Sequence, residues 1–225
     1  MHDESSCDVA FTPAVKAIQE RRGSRVAYAK LEAKGGFATL VTAELEQFIA
    51  TRNSFYLATA SADGRPYIQH KGGPKGFLKV LDERTLAFAD YSGNRQYISV
   101  GNLAENDRVF LFLMDYENRE RIKIWGRAKV VEKDSDLISW LMPKNYRARP
   151  EQAIIITVEA WDGNCNSHIP HLIPAEEAAK MIDSLTQKID ALQSELEVCG
   201  PPDVTDRTHA AANSASASSL SSGPS

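Results

Sequence analysis

Residues 90–107 read DYSGNRQYISVGNLAEND, a run of small and hydrogen-bonding side chains where an apolar stretch, LAFAD, gives way to a helix-like segment. That junction has the chemistry of an anion site. A helix starting near Asn94 exposes unpaired N–H groups and a partial positive charge. Ser92 and Asn94 add a hydroxyl and an amide, Gly93 permits a tight turn, and Arg95 supplies a planar cation suited to phosphate. Local sequence leaves a second reading open, in which Asn94 is an ordinary N-cap and Arg95 is solvated.

A second polar cluster lies in GRPYIQHKGGPKGFLK. Gln69, His70 and Lys71 end one predicted strand, Gly72 and Gly73 follow, and Lys75 and Lys79 flank the next. At the strand ends of a small barrel these groups would meet the 92–96 turn in one anionic-ligand site. The alternative is a polar hairpin loop whose glycines only turn the chain. A third pattern, Cys165-x-x-His168-x-x-His171, offers metal-ligand types, but a structural zinc site needs four ligands and no second CxxC or HxxxH pair exists. No metal is expected there. The chain has no GxSxG, GxGxxG or GxxxxGK[ST] motif and no glycosidase-like carboxylate pair, so the corresponding chemistries are not indicated.

These groups need a scaffold. The 225-residue chain is 43% hydrophobic, enough for a sizeable core, and its net charge of −4 argues against a general nucleic-acid binder. No apolar run approaches the roughly 18 residues of a membrane span, and the first residues lack the basic and apolar regions of a signal peptide. Three widely spaced cysteines fit a reducing compartment, so the expected location is the cytoplasm.

Residues 1–40 read as a helical preamble, with a helix from Pro13 to Arg22 and a Gly35-Gly36 turn; a helix at 42–51 is capped by Thr42. From Ser54 the period changes to two. FYLATA and YIQH form a hairpin around Asp63-Gly64; GFLKVL (76–81) and LAFAD (86–90) form a second. RVFLFLMDY (108–116) and RIKIWGRAKVV (121–131) form a third, and QAIIITVEAW (152–161) adds a further strand. Helices are expected at 94–103 and 134–141. The predicted fold is mainly β with flanking helices: an antiparallel split barrel of six to seven strands over residues 41–173, since closure removes exposed edges. An open sheet with helices on one face is the alternative. An amphipathic C-terminal helix follows over 174–199, its stripe of Ile182, Leu185, Ile189, Leu192 and Leu196 packing on the domain or on a sister subunit rather than forming an independent coiled coil, since it covers only about two heptads. Gly200, Pro201 and Pro202 end it, and the Ser/Ala-rich residues 200–225 are expected to be a disordered tail.

The run FLKVLDERTLAFADYSGNRQ resembles the flavin-binding core of the pyridoxamine 5′-phosphate oxidase-related family, the FMN-binding split barrels. Leu78-Lys79, Asp82-Glu83-Arg84, Phe88, Asp90-Tyr91 and Asn94-Arg95 fall in the family's order, and RIKIWGRAKVV and VEAW resemble later strands. The resemblance implies FMN as cofactor, with Lys79, Arg95, Ser92, Asn94 and the neighbouring Gln96 around its phosphate. Gln69, His70 and Lys71 would approach the ring or ribityl chain, with Lys71 or Arg127 as the cation facing reduced flavin. It further implies a homodimer with the flavin at its interface, closed over by Trp161 and the loop from Asn164 to His168. Pro74 and Gln96 stand where the family motif has cations, and the oxidase's C-terminal Arg-x-His element is not reproduced after Trp161. The resemblance is therefore to the family, in a bacterial branch carrying GNRQYISVGNL, and not to the vitamer oxidase. It implies an FMN-dependent oxidoreductase acting on a small molecule by hydride transfer at flavin N5. The alternative is a non-catalytic split-barrel dimer that stores or senses flavin or a related tetrapyrrole or deazaflavin.

Overall fold

The computed structural model describes residues 5–163 and 167–200. One compact unit extends to Leu172, and a second begins at Ile173. In the first, a single 3-10 turn, Ser6–Val9, precedes helices α1 (Pro13–Arg22), α2 (Arg25–Ala33) and α3 (Ala43–Ala50). Thr42 caps α3 through its hydroxyl, as the sequence predicts, and Thr12 caps α1 in the same way. Gly35 and Gly36 make the expected turn with φ of 108° and 76°. Helix α2 was not legible in the sequence because its N-cap, Ser24, makes no side-chain cap bond and none of its residues is buried. Contacts from outside the helix help hold it: Lys16 of α1 pairs with Glu32, which also pairs with Arg25 within α2, and Phe11 meets Tyr28 edge-on at 5.1 Å.

Seven antiparallel strands follow, β1 (Ser54–Ala60), β2 (Pro66–Gly72), β3 (Lys79–Asp82), β4 (Thr85–Tyr91), β5 (Arg108–Asp115), β6 (Glu120–Val131) and β7 (Pro150–Gly163). Their order is β2-β1-β5-β6-β7-β4-β3. The three predicted hairpins are present, and β7 joins the β5–β6 hairpin to β3–β4. Strand β3 starts at Lys79 rather than residue 76, because Pro74–Phe77 form a turn in which the Phe77 N–H donates to the Pro74 carbonyl at 3.0 Å.

Alternation places Phe55 and Leu57 of β1 and Val109, Leu111 and Leu113 of β5 inside. Strand β4 is instead buried without a break from Leu86 to Asp90. Leu86 and Phe88 face the interior, while Ala87 and Ala89 face Leu141 of helix α5 (Ser135–Leu141). The interior centres on Phe55, Phe77 and Phe88, whose rings lie 5.3–6.4 Å apart. Phe55 thereby links β1 to β4, strands distant in the ladder, and Lys71 of β2 reaches Asp90 of β4. The sheet thus curls until its two ends meet through side chains across a seam without ladder hydrogen bonds. This is a split β-barrel, and the open-sheet alternative does not hold.

Two further contacts fasten the periphery. Past the end of β4's pairing, Trp161 of β7 bridges Ala38 through its backbone, and its indole N–H donates to the Leu40 carbonyl at 2.7 Å. At the other end of α3, Arg52 lies 2.6 Å from the buried carboxylate of Asp115. Burial alone would raise the Asp115 pKa, but bonds from Asn118 and the Arg52 cation hold it below its ordinary 3.8. Its stabilising contribution is therefore complete above that ordinary value and is lost as pH falls through the lower folded value. Asp115→Asn is expected to flatten the acid limb of the stability curve below about pH 4, read by thermal melts across pH.

The second unit contains helix α6 (Ala175–Cys199), matching the predicted C-terminal helix. No described helix is long and apolar enough to cross a membrane.

Candidate functional site

The seam between β2 and β4 forms a groove. Because side chains alternate along β2, Tyr67, Gln69 and Lys71 turn into it, while Ile68 and His70 point out and are exposed. Two adjoining hollows share Gln69, Lys71, Asp90, Tyr91 and Gly93 as walls. The first continues along Asn94–Tyr97 to the start of helix α4 (Ile98–Glu105) and to Glu151 of β7; the second ends on Phe77 and Phe88.

The 92–97 turn is not the predicted helix start. Asn94 uses its side-chain carbonyl to accept from the Gln96 N–H at 3.2 Å, closing a local turn, and Arg95 and Tyr97 adopt left-handed backbone with φ of 61° and 54°. Helix α4 begins at Ile98, four residues later than expected, after Tyr97 as an N-cap without a side-chain bond. Asn94 is thus neither the helix cap nor its first residue. Non-glycine residues in left-handed backbone are uncommon, and two so close together mark a turn shaped for something other than helix initiation.

Polar contacts set the groove's charge. Lys71 Nζ lies 2.6 Å from Asp90 Oδ1, and the Gln152 amide donates to Oδ2 at 2.9 Å, so both carboxylate oxygens are engaged. Ser99 of α4 donates its hydroxyl to Gln69 Oε1 at 2.8 Å, fixing the amide's orientation. Arg95 donates Nε–H to the Tyr97 hydroxyl at 3.1 Å and leaves its terminal nitrogens without a partner among the described residues. Tyr91 is distinct: its hydroxyl is buried with no hydrogen-bond partner. Burial, and then neighbouring Tyr146, push its pKa up to about 12, so it stays a neutral donor at any physiological pH.

Of the residues singled out from sequence, Gln69, Lys71, Asn94, Arg95 and Gln96 meet in the first hollow, and His70 borders the second from outside, edge-on to Tyr56 at 5.6 Å. Ser92 lines neither hollow; its N–H is engaged by the Arg149 carbonyl at 2.9 Å. Lys79 lies elsewhere. It pairs across the ladder with Ala87, on the α5-facing side, and its ammonium sits 5.3 Å from the Trp140 ring centre. Trp161 is tied to Leu40, and Arg127 is paired with Glu159 and Asp107 at the exposed surface. His168 stands in a turn with φ of 63°, while Asn164 and Cys165 lie outside the described residues. Among the described residues no group of three or more His, Cys, Asp and Glu could hold a metal. Sequence reasoning missed Tyr67, Asp90, Tyr91 and Ser99 as wall residues. The adjacent pair Asp90-Tyr91, immediately before the turn, was the available signal.

A split barrel with a polar groove along its open seam defines the class of protein. The family model for pyridoxamine 5′-phosphate oxidase matches residues 41–165. The chain belongs to that family. Among solved structures it is similar to HupZ from Group A Streptococcus, with 20% identity over 55% of this chain and 93% of that one and a TM-score of 0.45. It is also similar to a putative pyridoxamine 5′-phosphate oxidase from Lactobacillus delbrueckii, with 22% identity over 56% and 95% of the two chains and a TM-score of 0.44. An FMN-binding protein from Syntrophomonas wolfei shares 10% identity over 68% and 97%, with a TM-score of 0.44. No curated protein matches the chain.

Proposed function

We propose that this protein binds FMN in the seam groove and is a flavin-dependent oxidoreductase acting on a small molecule, working as a homodimer in the cytoplasm. The observation that carries the reading is Arg95, which lines the first hollow beside the uncapped start of α4 with its terminal nitrogens unpartnered among the described residues. A planar cation with free N–H groups beside a helix start is a ready partner for an anion. The other groups fit the same molecule. Arg95, the Asn94 and Gln96 amides and the uncapped first N–H groups of α4 suit a phosphate. Phe77 and Phe88 offer an apolar wall to a ring system, and Gln69 offers a polar group to its edge. Glu151 stands at the same rim and opposes an anion, so Arg95 is the group that must offset it. Lys71 is neutralised by Asp90, and its role is to hold that wall rather than to add net charge.

Bound FMN would supply hydride chemistry at N5. The chain would orient the ring and exclude water along the Phe77–Phe88 wall. Buried, unpaired Cys7 is consistent with a reducing compartment.

Fluorescence titration with FMN tests the reading. Arg95→Ala is expected to weaken binding about 10- to 100-fold, the worth of a charge-assisted hydrogen bond. Tyr91→Phe is expected to leave the unliganded protein equally or more stable, since it removes the orphan hydroxyl. An unaltered chain that neither purifies yellow nor quenches added FMN refutes flavin binding. Flavin binding without turnover of reduced nicotinamide or small-molecule donors assigns the protein to storage or sensing instead.

A further inference from the structure

We propose that α6 pairs with the α6 of a second copy of this chain as a parallel two-stranded coiled coil. The helix runs 25 residues, about 37 Å at its standard rise. Ile182, Leu185, Ile189, Leu192 and Leu196 are 54–72% exposed, an unusual amount of aligned apolar surface. Their steps alternate between three and four. Written as heptads, Ile182, Ile189 and Leu196 take position a, and Leu185 and Leu192 take d; Ala175 and Ala178 extend the same seam toward the N-terminus. Isoleucine at a with leucine at d is the combination that favours two parallel strands.

Charge selects the same arrangement. In a parallel pair each g residue flanks the following e residue of the other copy, which sets Met181 beside Thr186 and Lys188 beside Gln193. No like charges meet. Glu176, Glu177, Asp183, Asp190 and Glu197 fall at b and c, away from the seam. An antiparallel pair that keeps the apolar layers, Ile182 opposite Leu192, instead brings Lys188 against Lys188 of the other copy. Thr186, at the seam's flank, already donates its hydroxyl to the Ile182 carbonyl at 2.9 Å, so packing there strands no donor. This pairing concerns a surface apart from the groove residues and does not rest on the flavin reading.

The test uses the full chain carrying Leu192→Cys in a Cys199→Ser background, with Cys199→Ser alone as the blank. Mild oxidation with oxidised glutathione is expected to give a disulfide-linked dimer through residue 192, because a parallel pair sets each d position against its own copy. Adding Leu185→Glu is expected to abolish that dimer, while FMN titration of the same variant stays unchanged. Absence of the covalent dimer, or its persistence with Leu185→Glu, overturns the proposal. So does selective cross-linking between chains carrying Ile182→Cys and chains carrying Leu192→Cys, the signature of an antiparallel pair.

Discussion

Lys71→Met is expected to destabilise the barrel by about 3–5 kcal/mol, the usual loss when one partner of a buried ion pair is removed. In a unit of this size that lowers the melting temperature by roughly 10 °C. The size follows from burial: the Lys71 and Asp90 side chains are each only 11% exposed, and their charged atoms lie 2.6 Å apart. Methionine fills the volume of the lysine stem but leaves the Asp90 carboxylate with the Gln152 amide alone. The effect also concerns the seam, because this pair joins β2 to β4 where no ladder hydrogen bond does. Combining Lys71→Met with Asp90→Asn is expected to recover much of the loss, since no uncompensated charge remains. A thermodynamic cycle of the two variants measures the coupling; additive losses would show that the pair is not what holds the seam.

Gly126→Ala should cost about 3 kcal/mol, at the upper end of what overpacking causes. Gly126 sits on β6 where the register with β7 slips, Trp125 facing Ala160 and Gly126 facing Val158, so that β7 carries an extra residue there. A Cβ at this position would lie 2.4 Å from the Thr157 carbonyl oxygen and 3.2 Å from Ile156 Cγ2. The first obstacle is backbone in the middle of the sheet and cannot swing aside as a side-chain tip would. Urea unfolding reads the change as a lower midpoint at unchanged slope. Gly163→Ala provides the control: its nearest neighbour is Ile122 Cδ1 at 3.8 Å, and its stability should stay within about 0.5 kcal/mol of the parent.

The hairpins were legible because a two-residue period is a property of each strand by itself. FYLATA and RVFLFLMD carry their inside and outside faces in their own residues, and Thr42 and Pro13 announce their helices locally. The groove was half legible. Gln69, Lys71 and Arg95 stand out as polar residues beside glycines. Tyr91 does not, because nothing local to residue 91 says that its hydroxyl lacks an acceptor; that depends on the packing of Tyr146 and β7. The start of α4 was misplaced because Asn94 satisfies a cap pattern and a local turn equally well, and two left-handed residues decided for the turn. Lys79 was assigned by motif order, but cross-strand pairing with Ala87 fixes its face, and pairing is a non-local fact. Helix α2 was missed for the same reason, since its stability comes from partners outside it.

The bridge between Ala38 and Trp161 bears on where this protein can be cut. Beyond Thr157, β7 has β6 on one side and no β4 partner on the other. The segment before residue 41 covers that exposed rim, donating its backbone much as an added peptide strand completes a foreign sheet. A fragment trimmed to the segment that matches the family, residues 41–165, would keep the barrel strands and discard their own edge guard. Its bare rim would then be open to any strand that could pair with it, including one from another molecule of the same fragment. The N-terminal arm is in this sense an internal chaperone for one edge of the sheet.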